Sequence, residues 1–159
     1  MTNLSHDEYM QFLELYLKQI NPRSIVSEVI IVAHRVGYYK QSDGITLMHE
    51  LNFRGMKMPH PIGVGHDLLY DLGTKSPWLP DRCRTNHRAQ RWADLWFKDA
   101  MLDFGHWARG RVWTAGLRLG GFYGWSCHRR KRNPQPDLYR EVLVAWCDYH
   151  NKELPICPT

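Results

Sequence analysis

Between residues 89 and 104, large apolar side chains return every three or four positions: Ala89, Trp92, Ala93, Trp96, Phe97, Ala100, Met101 and Phe104. That spacing lays one apolar stripe along an α-helix. Gly105 follows directly and marks the end of the helix. A stripe this rich in aromatic rings has to be covered by other elements, so this segment is expected to be the central packing helix.

The remaining signals are also mostly helical. Ser5 and Glu8 form a capping-box pattern, and Phe12, Leu13, Tyr16, Leu17 and Ile20 follow at helical spacing up to Asn21-Pro22. Residues 24 to 36 are rich in Ile and Val; Ile25, Val29, Val32 and Val36 share one helix face, although such a run also suits a strand. Residues 37 to 65 look irregular, with turn signals at Ser42-Asp43-Gly44 and Pro59-His60-Pro61 and room for a short β-hairpin. A helix is expected from about His66 to Gly73, then a loop with Pro77 and Pro80. A further helix is expected over 109–119 with Val112, Ala115, Gly116 and Leu119 inward. The last helix should be capped by Asp137 and carry Leu138, Val142, Ala145, Trp146 and Tyr149. The fold class that follows is mainly α, one helical domain over 1–159, with an extended tail at 152–159.

At 159 residues with 43% hydrophobic and 23% charged content, the chain is long enough for one core and too apolar to be disordered. The formal charge of +5 favours an anionic partner: a phospholipid surface, nucleic acid or an acidic protein. Arg129, Arg130, Lys131 and Arg132 are the densest cationic run, with Trp107, Trp113 and Trp125 nearby. They suit phosphate backbones or lipid headgroups, and equally a solvated basic loop. The 4 cysteines are scattered and form no CxxC pair, so reduced thiols are expected. No apolar run is long enough to span a bilayer.

Chemistry concentrates at Gly63-Val-Gly-His66-Asp67-Leu-Leu-Tyr70. His66 can serve as a general base if another group orients its far nitrogen. Tyr70 lies four residues on, on the same helix face. Asp94 sits at the edge of the long apolar stripe, placed to reach across a helix pair. A His66–Asp94–Tyr70 triangle is therefore expected, either as a catalytic dyad with a supporting hydroxyl or as a buried polar clasp between two helices.

His66-Asp67-Leu68-Leu69-Tyr70 followed by Ala93-Asp94-Leu95-Trp96-Phe97 is similar to the paired signature of secretory phospholipases and of the lipase domain in parvovirus capsids. The resemblance implies that His66 activates water, Asp67 binds calcium, Asp94 orients His66 and Tyr70 supports Asp94. The upstream glycines Gly55, Gly63 and Gly65 do not reproduce the calcium-loop pattern of those enzymes. The order His66-Asp67-x-Leu69-Tyr70, Ala93-Asp94-x-x-Phe97, Asp99-Ala100-Met101 and Phe122-Tyr123-Gly124-Trp125 also resembles a phage-encoded family of unknown function, over roughly the second half of the chain. That likeness implies a viral accessory or virion protein, made in the host cytoplasm.

Two other constellations compete. His34, His66-Asp67 and one of Asp94, Asp99 or Asp103 suit the ligand pattern of metal-dependent phosphohydrolases. Cys83 with His87, and Cys147 with His150, would make a zinc site if the two pairs met. Against these stands a non-enzymatic structural or host-binding protein that keeps the helix pair for packing alone.

Overall fold

The first helix, α1 (His6–Ile20), begins where the capping box predicts. The Ser5 hydroxyl accepts from the Glu8 amide at 3.3 Å, and the Glu8 carboxylate accepts from the Ser5 amide at 2.9 Å. Asn21, in the left-handed region at φ 53°, ends it. The computed structural model describes residues 5–40, 51–53, 56–58, 60–106, 108, 111–112, 115 and 136–152. Within them α2 spans Ser24–Arg35, β1 Leu51–Phe53, β2 Met56–Met58, α3 Pro61–Leu72, α4 Asn86–Asp103 and α5 Pro136–Tyr149. The architecture is mainly helical, with β1 and β2 paired antiparallel, Leu51 opposite Met58. No helix among the described residues is long and apolar enough to cross a membrane.

The Ile/Val run forms a helix, and α2 rather than α4 is the centre of the bundle. It packs against α1, α3, α4 and α5. Val26, Val29, Ile30, Ile31, Val32 and Ala33 are all buried. Contact with four helices leaves little of its surface to water, so the apolar residues Val29–Ala33 run on without a polar interruption. The helix N-terminus is tied to α4: Arg23 pairs with Asp99 at 2.7 Å, and its amide donates to Asp103 at 2.9 Å.

The second correction concerns α3. It starts at Pro61, so His66 and Asp67 lie in mid-helix and not at its N-terminus. Pro61 needs no amide partner in the first turn, and the His60 ring caps the helix by accepting from the Ile62 amide at 3.3 Å. Gly63 and Gly65 read as loop residues because glycine is a poor helix former. Contact with α4 overrides that propensity. A Cβ at Gly65 would come within 2.5 Å of the Trp96 ring, which is itself 3% exposed and held by an indole hydrogen bond to the Ile25 carbonyl at 3.3 Å. Gly65 is the notch that lets α3 and α4 approach. Nearly all of α3 is buried in consequence.

The α4 stripe forms as expected, with Ala89, Ala93, Trp96, Phe97, Ala100 and Met101 buried and Trp92 and Phe104 half-buried. Asp137 sits inside the first turn of α5 and does not cap it, because Pro136 already opens the helix. Ala108, Arg111, Val112 and Ala115 are helical, but Val112 and Ala115 are exposed and not inward, and Val112 is 71% exposed. Gly116, Leu119 and the tail from 153 lie outside the described residues.

The Gly65 notch makes a sharp prediction. Gly65→Ala should lower stability by about 1–3 kcal/mol, as expected for overpacking a filled core, read as an earlier urea midpoint with an unchanged slope. Adding Trp96→Phe, which removes ring atoms from that spot, should recover part of the loss.

Candidate active site between helices three and four

Asp94 is 5% exposed on the face of α4 that meets α3. A carboxylate buried there needs donors, and α3 supplies two on one face. Tyr70 donates its hydroxyl to Asp94 Oδ1 at 2.5 Å, and His66 Nε2 faces the same oxygen at 3.5 Å. The predicted His66–Asp94–Tyr70 triangle is thus assembled. The spacing of four residues sets His66 against Tyr70, ring centroids 4.2 Å apart and planes tilted by 45°, and Phe97 closes on the imidazole at 5.0 Å.

With Nε2 directed at a carboxylate, the neutral ring carries its proton there and leaves Nδ1 basic. Burial raises the Tyr70 pKa, and its bond to Asp94 raises it further, so the phenol remains a donor. Gln90, one turn before Asp94 and buried, also hydrogen-bonds Tyr70. Sequence reading missed Gln90; its signal was its place four residues before Asp94, on the stripe face.

Asp67 is buried too, 7% exposed, and close enough for its charge to add to the Tyr70 shift. Among the described residues no three His, Cys, Asp or Glu side chains form a group able to hold a metal ion. The same finding disperses the other constellations. His34 joins neither His66 nor Asp67: its Nδ1–H donates to the Ile30 carbonyl at 2.7 Å and its ring stacks on Tyr39. Asp99 and Asp103 are engaged by Arg23. Cys83 and Cys147 are free thiols, and His150 turns to Glu28 at 2.7 Å. Arg129, Arg130, Lys131 and Arg132 lie outside the described residues.

That last contact belongs to a network sequence reading did not find. Glu28, buried in α2, accepts from the Trp78 indole at 2.6 Å and meets His150 Nε2 on the same oxygen. Its signal was a lone carboxylate next to the Ile/Val run of α2.

Comparison with known proteins yields no match: no family model, no curated protein and no solved structure is significantly similar to this chain.

Two predictions follow from the buried polar groups. Tyr70→Phe leaves Asp94 without its shortest donor and should lower stability by about 1–3 kcal/mol, measured by urea unfolding. Burial also lowers the pKa of His34 and of His60 from 6.5 to about 4, the latter aided by neighbouring His106. The unfolded chain therefore binds more protons between those values, so stability should fall as pH drops from about 6.5 and level off near 4. His60→Asn, which keeps a capping acceptor but does not titrate, should flatten part of that slope in urea midpoints taken across the window.

Proposed function

We propose that this chain is a phage accessory or virion protein whose α3–α4 clasp acts as a phospholipase-like hydrolytic site on ester bonds of envelope lipids. One observation carries the reading: His66 and Tyr70 converge on a single oxygen of a buried Asp94. In that role His66 Nδ1 takes a proton from water as the water oxygen bonds to the ester carbonyl carbon. Asp94 holds the imidazolium that forms, and Tyr70 fixes the carboxylate. When the tetrahedral intermediate collapses, the carbon–alkoxide bond breaks and His66 returns the proton to the leaving oxygen. No step of this route runs through calcium.

The burial of His66, 3% exposed beneath Tyr70 and Phe97, favours a second reading. There the triangle is a structural clasp in a non-enzymatic virion or host-binding protein. One set of measurements separates the two. His66→Gln and Asp94→Asn are compared with wild type for hydrolysis of phospholipid vesicles, with and without calcium, and for thermal unfolding. The hydrolase reading expects calcium-independent turnover that falls about 10²–10⁴-fold in both variants while the fold persists. If wild-type protein releases no fatty acid and both variants merely melt earlier, the clasp reading stands.

A further inference from the structure

The outer face of α4 and the loop before it carry a cationic line that the hydrolase reading does not use. Residues 73–98 hold six Lys or Arg against two Asp, and one of these, Asp94, is buried and already engaged. Arg82, Arg84, Arg88 and Arg91 are all exposed. Arg88, Arg91, Leu95 and Lys98 recur at helical spacing and so share one face of α4, exposed at the first three and half-buried at Lys98.

Local contacts draw these cations together. Arg88 Nη1 donates to the Arg82 carbonyl at 2.8 Å, and Arg84 Nη1 to the Thr74 carbonyl at 3.2 Å. Carbonyls orient a guanidinium without neutralising it. Among the described residues Arg82, Arg88 and Arg91 have no acidic partner, while Arg84 pairs only with Asp81, whose side chain is 98% exposed. Folding does not ask for this arrangement. Cations near the start of a helix oppose its dipole, and the first turn of α4 contains no acid, whereas that of α1 contains Asp7 and Glu8.

We infer that this face binds the phosphate backbone of nucleic acid. From Arg88 to Lys98 the line runs about 15 Å along a straight helix axis, comparable with the axial rise of some four base pairs at about 3.4 Å each. Guanidinium groups grip phosphate through paired N–H donors. A lipid surface fits less well. An interfacial helix puts its apolar face into the bilayer, but the apolar face of α4 is buried in the core. Its outer face offers one exposed large apolar residue, Leu95, at 39%. The contacts are to phosphate, so binding should be indifferent to base sequence. The inference does not depend on the hydrolase reading, because Arg82, Arg88 and Arg91 make no hydrogen bond or ion pair with His66 or Asp94.

The test is fluorescence anisotropy of the full chain with a labelled mixed-sequence duplex of about 20 base pairs, from about 50 to 200 mM salt. Wild type should bind with a log–log salt slope of about −3 or steeper. The variant Arg82→Gln/Arg88→Gln/Arg91→Gln should lose at least about tenfold in affinity at the lowest salt and flatten the slope by about 2–3. Arg→Lys at the same positions should restore most of the binding. A control that removes three charges elsewhere, Lys18→Gln/Lys40→Gln/Arg140→Gln, should keep the wild-type slope. Equal weakening by both Gln variants, an unaffected Arg82/Arg88/Arg91 variant, or capture of anionic phosphatidylglycerol vesicles without binding to the duplex would overturn the inference.

Discussion

The carboxylate of Asp94, withdrawn from water between two helices, sets the terms for this end of the molecule. An ion in that position is stable only if donors reach it. Both donors come from α3, at His66 and Tyr70, and a slip of either helix by one residue would carry them off the facing surface. The pairing therefore fixes register as well as charge. It works only because the backbones are close. Gly65 admits the Trp96 ring where any other residue would place a Cβ against it. Notch and polar contact are adjacent on both helices, Gly65 beside His66 and Trp96 two residues after Asp94, so each enforces the other.

The chain applies the same chemistry a second time. Glu28 is buried in α2 and is also met on one oxygen by an aromatic donor and an imidazole, Trp78 and His150. That network ties the central helix to the loop after α3 and to the end of α5, and so joins segments more than one hundred residues apart in sequence. The recurrence bears on function. A carboxylate held by an aromatic donor and a histidine is here a general way of stabilising a buried charge, and such a triad is not by itself a mark of catalysis. What separates the two is the register with Asp67 and Phe97 that surrounds His66, the part of the pattern on which the proposed hydrolase reading rests.

What could be read from the residues alone divides along physical lines. Local signals were legible: the Ser5–Glu8 box, the helix stop at Asn21-Pro22, the α4 stripe and its end at Gly105. The His66–Asp94–Tyr70 contact was legible too, because helical spacing fixes which side chains share a face, and a lone Asp on the edge of an apolar stripe has few places to go. The start of α3 was not, since Gly63 and Gly65 are poor helix formers and the ring that justifies Gly65 lies some thirty residues away. The central place of α2 was hidden for the opposite reason. The run Val29–Ala33 spreads apolar side chains around most of the helix and blurs its stripe, and its β-branched residues imitate a strand. Glu28, Trp78 and His150 were invisible because nothing local pairs them.

Burial then becomes the quantity on which the candidate site turns. His66 is enclosed by Tyr70 and Phe97, and the contacts that orient its ring are the same ones that cover it. In a hydrolase those roles must separate: the Nε2 side has to stay closed to hold the tautomer, while the Nδ1 side has to admit water and an ester. Phe97 belongs to the α4 core stripe and cannot move without disturbing Met101 and Ala93 around it. Access, if the site turns over substrate, must therefore open from the α3 side of the ring and leave the α3–α4 seam shut.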